Sequence, residues 1–273
     1  MLEGVLTPQG HGHGRATVVA RQEGGRTVLP RVHATSPLRF VRPTFPGSRA
    51  ASVCLVTFGG GLVDGDSNDV DVRVEAGATL VVFTQATTKA FRGASSQNVR
   101  AEVHGTLVLL PDPVACFAKS RYRQRVDITL HGEGSAVVLD GFTSGRAAFG
   151  ERWAFDGLDL ATTVRHGAER RVLVRDALHL DCRDGPIAPR TGRFEAFATL
   201  LSVGPRAQSV TRGLLDPSVV THEVVAAPSP LPAGLGAIVR IAGTSPELTL
   251  GEARRRLRNL HDIDVVDPFA SRH

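Results

Sequence analysis

The chain has 273 residues, 42% of them hydrophobic, enough to bury a substantial core and best read as one β domain over residues 1–273. Its formal charge of +5 comes almost wholly from arginine, since Lys89 and Lys119 are the only lysines, and the arginines are spread along the chain, which suits interface hydrogen bonding and argues against a nucleic-acid partner. No apolar run approaches the roughly 20 residues that cross a bilayer, no leader pattern follows Met1, and Cys54, Cys116 and Cys182 form no CxxC pair, so the expectation is a cytoplasmic protein without membrane contact, disulfide framework or zinc knuckle.

In chain order, "GHGHGR" (10–15) closes a segment, residues 1–14, that reads as a flexible tail. "RATVVARQEGGRTVLPRV" (15–32) has the form strand, Gly24-Gly25 turn, strand. "GGGLVDGDSNDVDVRV" (59–74) sets three glycines with Asp64, Asp66 and Asp69 ahead of a clean alternation of valines and charges. A hairpin is then written three times, in "VDVRVEAGATLVVFTQ" (70–85), "VRAEVHGTLVLLPDP" (99–113) and "VDITLHGEGSAVVLDGF" (126–142). Their turn glycines Gly77, Gly105 and Gly134 recur at spacings of 28 and 29, a period that signals a stacked β architecture. The fold expected is therefore mainly β, with stacked β-hairpins forming a β-helical, solenoid-like sandwich. A weaker fourth copy (158–180) turns at Gly167, helices are expected only at 192–203 and 251–260, and the proline-rich stretch 227–236 reads as a loop.

Stacking would lay equivalent positions over one another. Thr84, Asp112 and Asp140 each follow a turn glycine by six or seven residues. They read either as strand-end turns in water or as a polar path through an apolar stack, which would have to be hydrogen-bonded or wet. His11 and His13 would share one side of an extended strand and offer a weak two-ligand metal site, against the plain alternative of a polar tail. His104 and His131, ahead of turn glycines, read as surface residues, and His179 as a satisfied core histidine. Arg146 and Glu151 read as an ion pair fixing the loop after the third hairpin, or as a partner contact. A polysaccharide-active β-solenoid enzyme would use Asp66 and Asp140, with Asp112, Lys89 and Arg146 beside them. Against it stand the single tryptophan, Trp153, the single tyrosine, Tyr122, and the lack of any nucleophile-elbow, P-loop, dinucleotide or zincin pattern. An inert interaction module is the third reading.

"SPLRFVRPTFP" (36–46), "GGGLVDGD" (59–66), "TQATTKAFR" (84–92), "LPDP" (110–113) and "DGFTSGRAAFGE" (140–151), in that order and over residues 15 to about 180, resemble the urease accessory protein UreD, also called UreH. The resemblance implies a non-enzymatic, β-helical scaffold that joins UreF and UreG to apo-urease and helps conduct nickel to the urease active site, with no tightly bound cofactor; the open ends and exposed edges of a β stack add the expectation of self-association when isolated. It carries Asp66 onto the aspartate near the proposed nickel route, Asp140 onto the carboxylate before the Gly-Arg element, Thr88 and Lys89 onto a hydroxyl-lysine pair, and Asp176 onto an acidic position before "LHL". Gly60 and Gly65 supply the permissive backbone, and Lys89 reads either as a partner that neutralises Asp66 or Asp140 or as an ordinary surface lysine. Asp64 stands where the family commonly has glycine; it either tolerates a left-handed backbone and caps its own turn, adds a carboxylate to the path, or marks a divergent partner.

Overall fold

The computed structural model describes residues 12–269. The chain opens with the antiparallel hairpin β1 (His13–Glu23) and β2 (Arg26–Ala34), then crosses to β3 (Leu38–Val41) and β4 (Ala51–Thr57) of a second sheet. From there it alternates between the two sheets. β5 (Ser67–Val74) lies in the outer sheet and β6 (Thr79–Thr84) in the inner one. After the two-residue β7 (Lys89–Ala90) come β8 (Gly93–Val103), outer, and β9 (Thr106–Leu110), inner. After β10 (Val114–Cys116) come β11 (Ser120–Leu130), outer, and β12 (Ser135–Thr143), inner. The outer sheet ends in the hairpin β13 (Gly157–His166) and β14 (Arg171–Asp181). A one-turn helix α1 (Ala188–Thr191) leads to β15 (Ala196–Val203). Helix α2 (Gln208–Leu214), strands β16 (Val219–Val220), β17 (Val224–Pro230) and β18 (Gly236–Gly243), and helix α3 (Pro246–Arg256) complete the inner sheet and its cover.

The protein is mainly β, with few and short helices, but the two sheets stay open, so no closed β-helix forms. Nor are the three central units hairpins. β5, β8 and β11 pair with one another in parallel in the outer sheet, while β6, β9 and β12 pair in parallel in the inner sheet, so the chain crosses between sheets at each turn glycine. The crossing is tight. A Cβ at Gly105 would lie 2.2 Å from the Ala78 carbonyl oxygen, and one at Gly134 2.2 Å from that of Val103. The expected hairpins at Gly24-Gly25 and Gly167 are present.

Two hydrophobic patterns separate the sheets. Alternating strands such as "VDVRV" bury one face and expose the other. The continuous runs of β6 and β9 are buried on both faces, as parallel strands inside a layered domain must be. Val70, Val72, Leu80 and Val82 share one core between the sheets. Val81, Phe83 and Val108 point the other way, into a second core closed by Val210, Leu214, Ala253, Leu257 and Phe269. The layer order is thus outer sheet, inner sheet, helices.

Within 192–203, expected as a helix, Ala196–Val203 form β15, because sitting between β12 and β18 buries most of that apolar segment. The stretch 227–236 is not wholly a loop either: β17 continues through Pro228 and Pro230, beyond the end of β16, where no neighbouring strand needs their missing N–H groups. The helix expected at 251–260 is α3, begun earlier by the Ser245 cap and followed by a 3-10 segment. Buried Arg256 binds Glu252 and the carbonyl oxygens of Leu214, Asp216 and Pro217, joining α3 to the loop after α2. His13 and Gly14, read as tail, belong to β1. His11 lies outside the described residues.

Candidate functional site

Asp140 ends the apolar run of β12 and faces the outer sheet. Gln124 of β11 donates its side-chain amide to it at 2.9 Å, and Thr162 of β13 donates at 3.5 Å. Burial raises the Asp140 carboxyl to about 6; the Gly141, Gln124 and Thr162 hydrogen bonds oppose the rise, and the charge of Asp176 adds to it. Asp176, from β14, and Asp140 line one cavity of about 250 Å³ together with Thr199 and Arg240. Arg240 of β18 reaches across from the inner sheet and binds Asp176 at 2.5 Å.

A hydrogen-bonded line leads away from this cavity. The buried Tyr122 hydroxyl donates to Gln124 at 3.0 Å, and Tyr122 also walls a groove of about 550 Å³ that holds Gly65 and Asp66. Both carboxylate oxygens of Asp66 already accept backbone N–H groups, from Gly12 and Val63, each at 2.9 Å. At the groove's other end Arg183 and Arg121 hold the Asp181 carboxyl well below the usual carboxylate range. Asn68, Gln97 and Gln124 occupy one register row across β5, β8 and β11, all buried, and both amide atoms of Asn68 lack a hydrogen-bond partner.

Gly60, Thr88 and Lys89 line a third cavity, of about 170 Å³, with Thr84 and Gln97. A narrow gap of about 20 Å³, room for about one water, adjoins Thr84, Gln97 and Gln124 and so lies between that cavity and the Asp140 contact. Thr84 and Asp112 bind each other directly, with Thr84 Oγ1 donating to Asp112 at 2.8 Å. The expected ladder thus divides: Thr84 pairs with Asp112, while Asp140 turns to the outer sheet. Among the described residues no group of three or more His, Cys, Asp or Glu side chains is arranged to hold a metal ion.

The model of the family described as "UreD urease accessory protein" matches residues 12–263. The chain belongs to the UreD urease accessory protein family. It is 45% identical to the urease accessory protein UreD of Sorangium cellulosum (strain So ce56) over 264 residues, covering 94% of this chain and 83% of that one. It is 37% identical to the UreD of Anaeromyxobacter sp. (strain Fw109-5), covering 95% and 89%, and 28% identical to urease accessory protein D of Arabidopsis thaliana, covering 93% and 98%. These relatives are named as accessory proteins of urease. The UreD match continues past residue 180, through α2 and α3, where the sequence alone showed little resemblance.

Several expectations for a UreD chain are corrected by the geometry. Lys89 is exposed and neutralises neither Asp66 nor Asp140; it makes no ion pair among the described residues. Asp64 is not left-handed; its neighbour Gly65 is, at φ 82°. The Asp64 carboxylate accepts the N–H of Ala94, 30 residues on, at 2.7 Å. Arg146 and Glu151 do form a two-point ion pair, which lowers the Glu151 pKa. Asp66 and Asp140 line different cavities, so they do not make an acid/base pair on one substrate site. His13, Ser67 and Asp69 approach a triad in composition, with His13 Nδ1 2.6 Å from Ser67 Oγ. Arg15 Nε, however, lies 3.0 Å from His13 Nε2, the nitrogen that also faces Asp69 at 3.4 Å, so an arginine competes for the place a triad gives to its carboxylate alone.

Sequence reasoning missed Tyr122, Gln124, Thr162 and Arg240. For Gln124 a signal existed: in "RYRQRVDITL" it shares the inward register of Tyr122, Val126 and Ile128.

Proposed function

We propose that the chain is a non-catalytic chaperone of urease maturation, working in the cytoplasm, that joins UreF and UreG to apo-urease and conducts nickel between its sheets. The observation that supports the reading best is the polar line inside an apolar sandwich, from the Asp66 groove through Tyr122 and Gln124 to Asp140 and Asp176. Buried polar side chains are costly unless partnered or wet, and Asn68, Gln97 and Gln124 form a buried polar row in the same layer. Carboxylates, hydroxyls and amides hold nickel more weakly than thiolates or grouped imidazoles, which suits cargo that must be released. Cys116 offers no thiolate at neutral pH, since burial pushes its thiol up to about 12. Asp140 and Asp176 would take the cation in turn, with Asp66 and Asp64 at the entrance and Thr88 and Lys89 beside the neighbouring cavity.

The test is urease activity after maturation at limiting nickel, with co-purification of UreF as the control for folding. Asp140→Ala should lower activation while leaving the complex intact, and Asp140→Leu should lower it further by narrowing the gap. Full activation by both variants would show that no route passes Asp140 and would leave the inert interaction module as the better reading.

A further inference from the structure

Asp140, Thr199 and Arg240 stand in one register row across β12, β15 and β18 of the inner sheet, and Asp176 of β14 meets that row from the outer sheet. Two carboxylates and the Arg240 guanidinium thus face one cavity. The other cation of its lining, Arg190, is held on the backbone carbonyl oxygens of Asp181 and Gly185, at 2.8 and 3.3 Å. Asp176 is therefore met directly by Arg240.

That tie is made to open. A single hydrogen bond of 2.5 Å joins the two side chains, and neither side chain has another among the described residues. Asp181 and Asp216 are gripped at several points instead, Asp181 by Arg121 and Arg183, and Asp216 by Arg255 and Arg258. Exposure is also lopsided, at 63% for the Arg240 side chain and 24% for that of Asp176. An ion pair with one member largely in water contributes little to stability. The guanidinium also has somewhere to go, because the outer sheet stops at β14 while the inner sheet runs on from β18 to β17 and β16. Only the side chain need move: the backbone of Arg240 is paired with Thr199 on one side and Ala227 on the other.

We propose that Arg240 is a displaceable counter-cation of the nickel route, which neutralises Asp176 until a divalent cation takes the carboxylate pair and then swings into solvent past the edge of β14. The inference rests on the maturation reading and names how its carboxylate pair is controlled. Like charges repel strongly over the few ångströms available, so guanidinium and metal ion exclude each other from a cavity of about 250 Å³. Competition of this kind lowers the affinity of Asp140 and Asp176 for the cation. It also speeds release, since the returning guanidinium reclaims Asp176 as the metal leaves.

The test uses the full chain and Ni²⁺ alone, with affinity read by titration calorimetry and release by transfer to a chromophoric chelator. Arg240→Gln should tighten binding about three- to tenfold and slow release by a similar factor. Arg240→Lys, which keeps the charge, should stay near the unmodified chain. In an Asp176→Ala background Arg240→Gln should change affinity by much less, because the carboxylate competed for is gone. An arginine that only propped the cavity would give the opposite sign, with weaker nickel binding and a lower melting temperature on its removal. Unchanged or weaker binding by Arg240→Gln, where Asp140→Ala does weaken it, overturns the counter-cation and leaves the route standing. If Asp140→Ala and Asp176→Ala both leave nickel binding unchanged, the route itself fails, and the counter-cation fails with it.

Discussion

Gln124 of the outer sheet donates its amide to Asp140 of the inner sheet, 2.9 Å away, and the same Gln124 accepts the hydroxyl of Tyr122. One buried side chain therefore satisfies two others across the gap. Gln124→Leu keeps the approximate volume but leaves both without that partner, which should cost about 1–3 kcal/mol. Urea denaturation of the purified variant measures it; a loss under a few tenths of a kcal/mol would mean that water replaces the amide freely.

Asp140 gives the protein a distinctive pH dependence. Its carboxyl is raised to about 6, so between the ordinary carboxylate value of 3.8 and 6 the unfolded chain releases a proton that the folded chain keeps. Through that window the group makes stability fall as pH rises, and above about 6 its contribution is constant. Asp181 acts oppositely at lower pH: held below the ordinary range by Arg183 and Arg121, it contributes stability above about 3.8 that is lost as pH falls. Asp140→Asn should flatten the profile between pH 4 and 6 without altering the acid limb, as read from denaturation midpoints over that range.

Asp66 is a structural tie as well as a candidate ligand. Asp66→Ala frees the N–H groups of Gly12 and Val63 and should cost about 1–3 kcal/mol. Asp66→Asn keeps one acceptor oxygen and should cost less. Thermal melts of the two variants decide the order, and any comparison of their nickel-dependent activation has to be read after it.

The glycines of the crossings and of α3 should respond with opposite signs. Gly105→Ala drives a methyl to 2.2 Å from the Ala78 carbonyl oxygen and 2.5 Å from that of Glu75, and should destabilise by about 1–3 kcal/mol or more. Gly251→Ala, inside α3 with nothing within 4 Å of the added methyl, should stabilise by about 0.5–1 kcal/mol. Equal responses in differential scanning calorimetry would contradict the close crossing.

Arg256 is fully buried and binds the Leu214, Asp216 and Pro217 carbonyls together. Arg256→Met replaces the stem and leaves Glu252 with Arg255 alone, for an expected cost of about 3–5 kcal/mol. Retained stability of the melt, with native fluorescence of Trp153, would show that the helical layer closes without it.

The turn glycines and the two kinds of apolar run were legible from residue order, because a glycine period and a one-faced or two-faced burial pattern are local properties. What they could not reveal was pairing. "VDVRVEAGATLVVF" has the same local form whether its strands pair with each other or each pairs with a strand nearly thirty residues away. The deciding contacts, such as Gly105 against Ala78, exist only after stacking. "AFATLLSV" was read as a helix because its small and apolar residues fit either period, and only its place between β12 and β18 decides for a strand. Asp140 and Asp176 were visible as carboxylates closing apolar segments. Arg240 was not, since it meets Asp176 from 64 residues away in a segment with no motif of its own.

The second core places a demand on synthesis. One face of the inner sheet is covered by residues between 207 and 269, which leave the ribosome after β6, β9 and β12 have all emerged. At the rate of about 5–20 residues per second typical of translation, that face waits several seconds for its cover. During that interval a nascent chain carries a row of bare Val, Leu and Phe side chains on strands that are already able to pair. Yield in a cell should accordingly rise when elongation is hastened through the last third of the message, or when a holdase is abundant, with no change in the finished molecule's own stability.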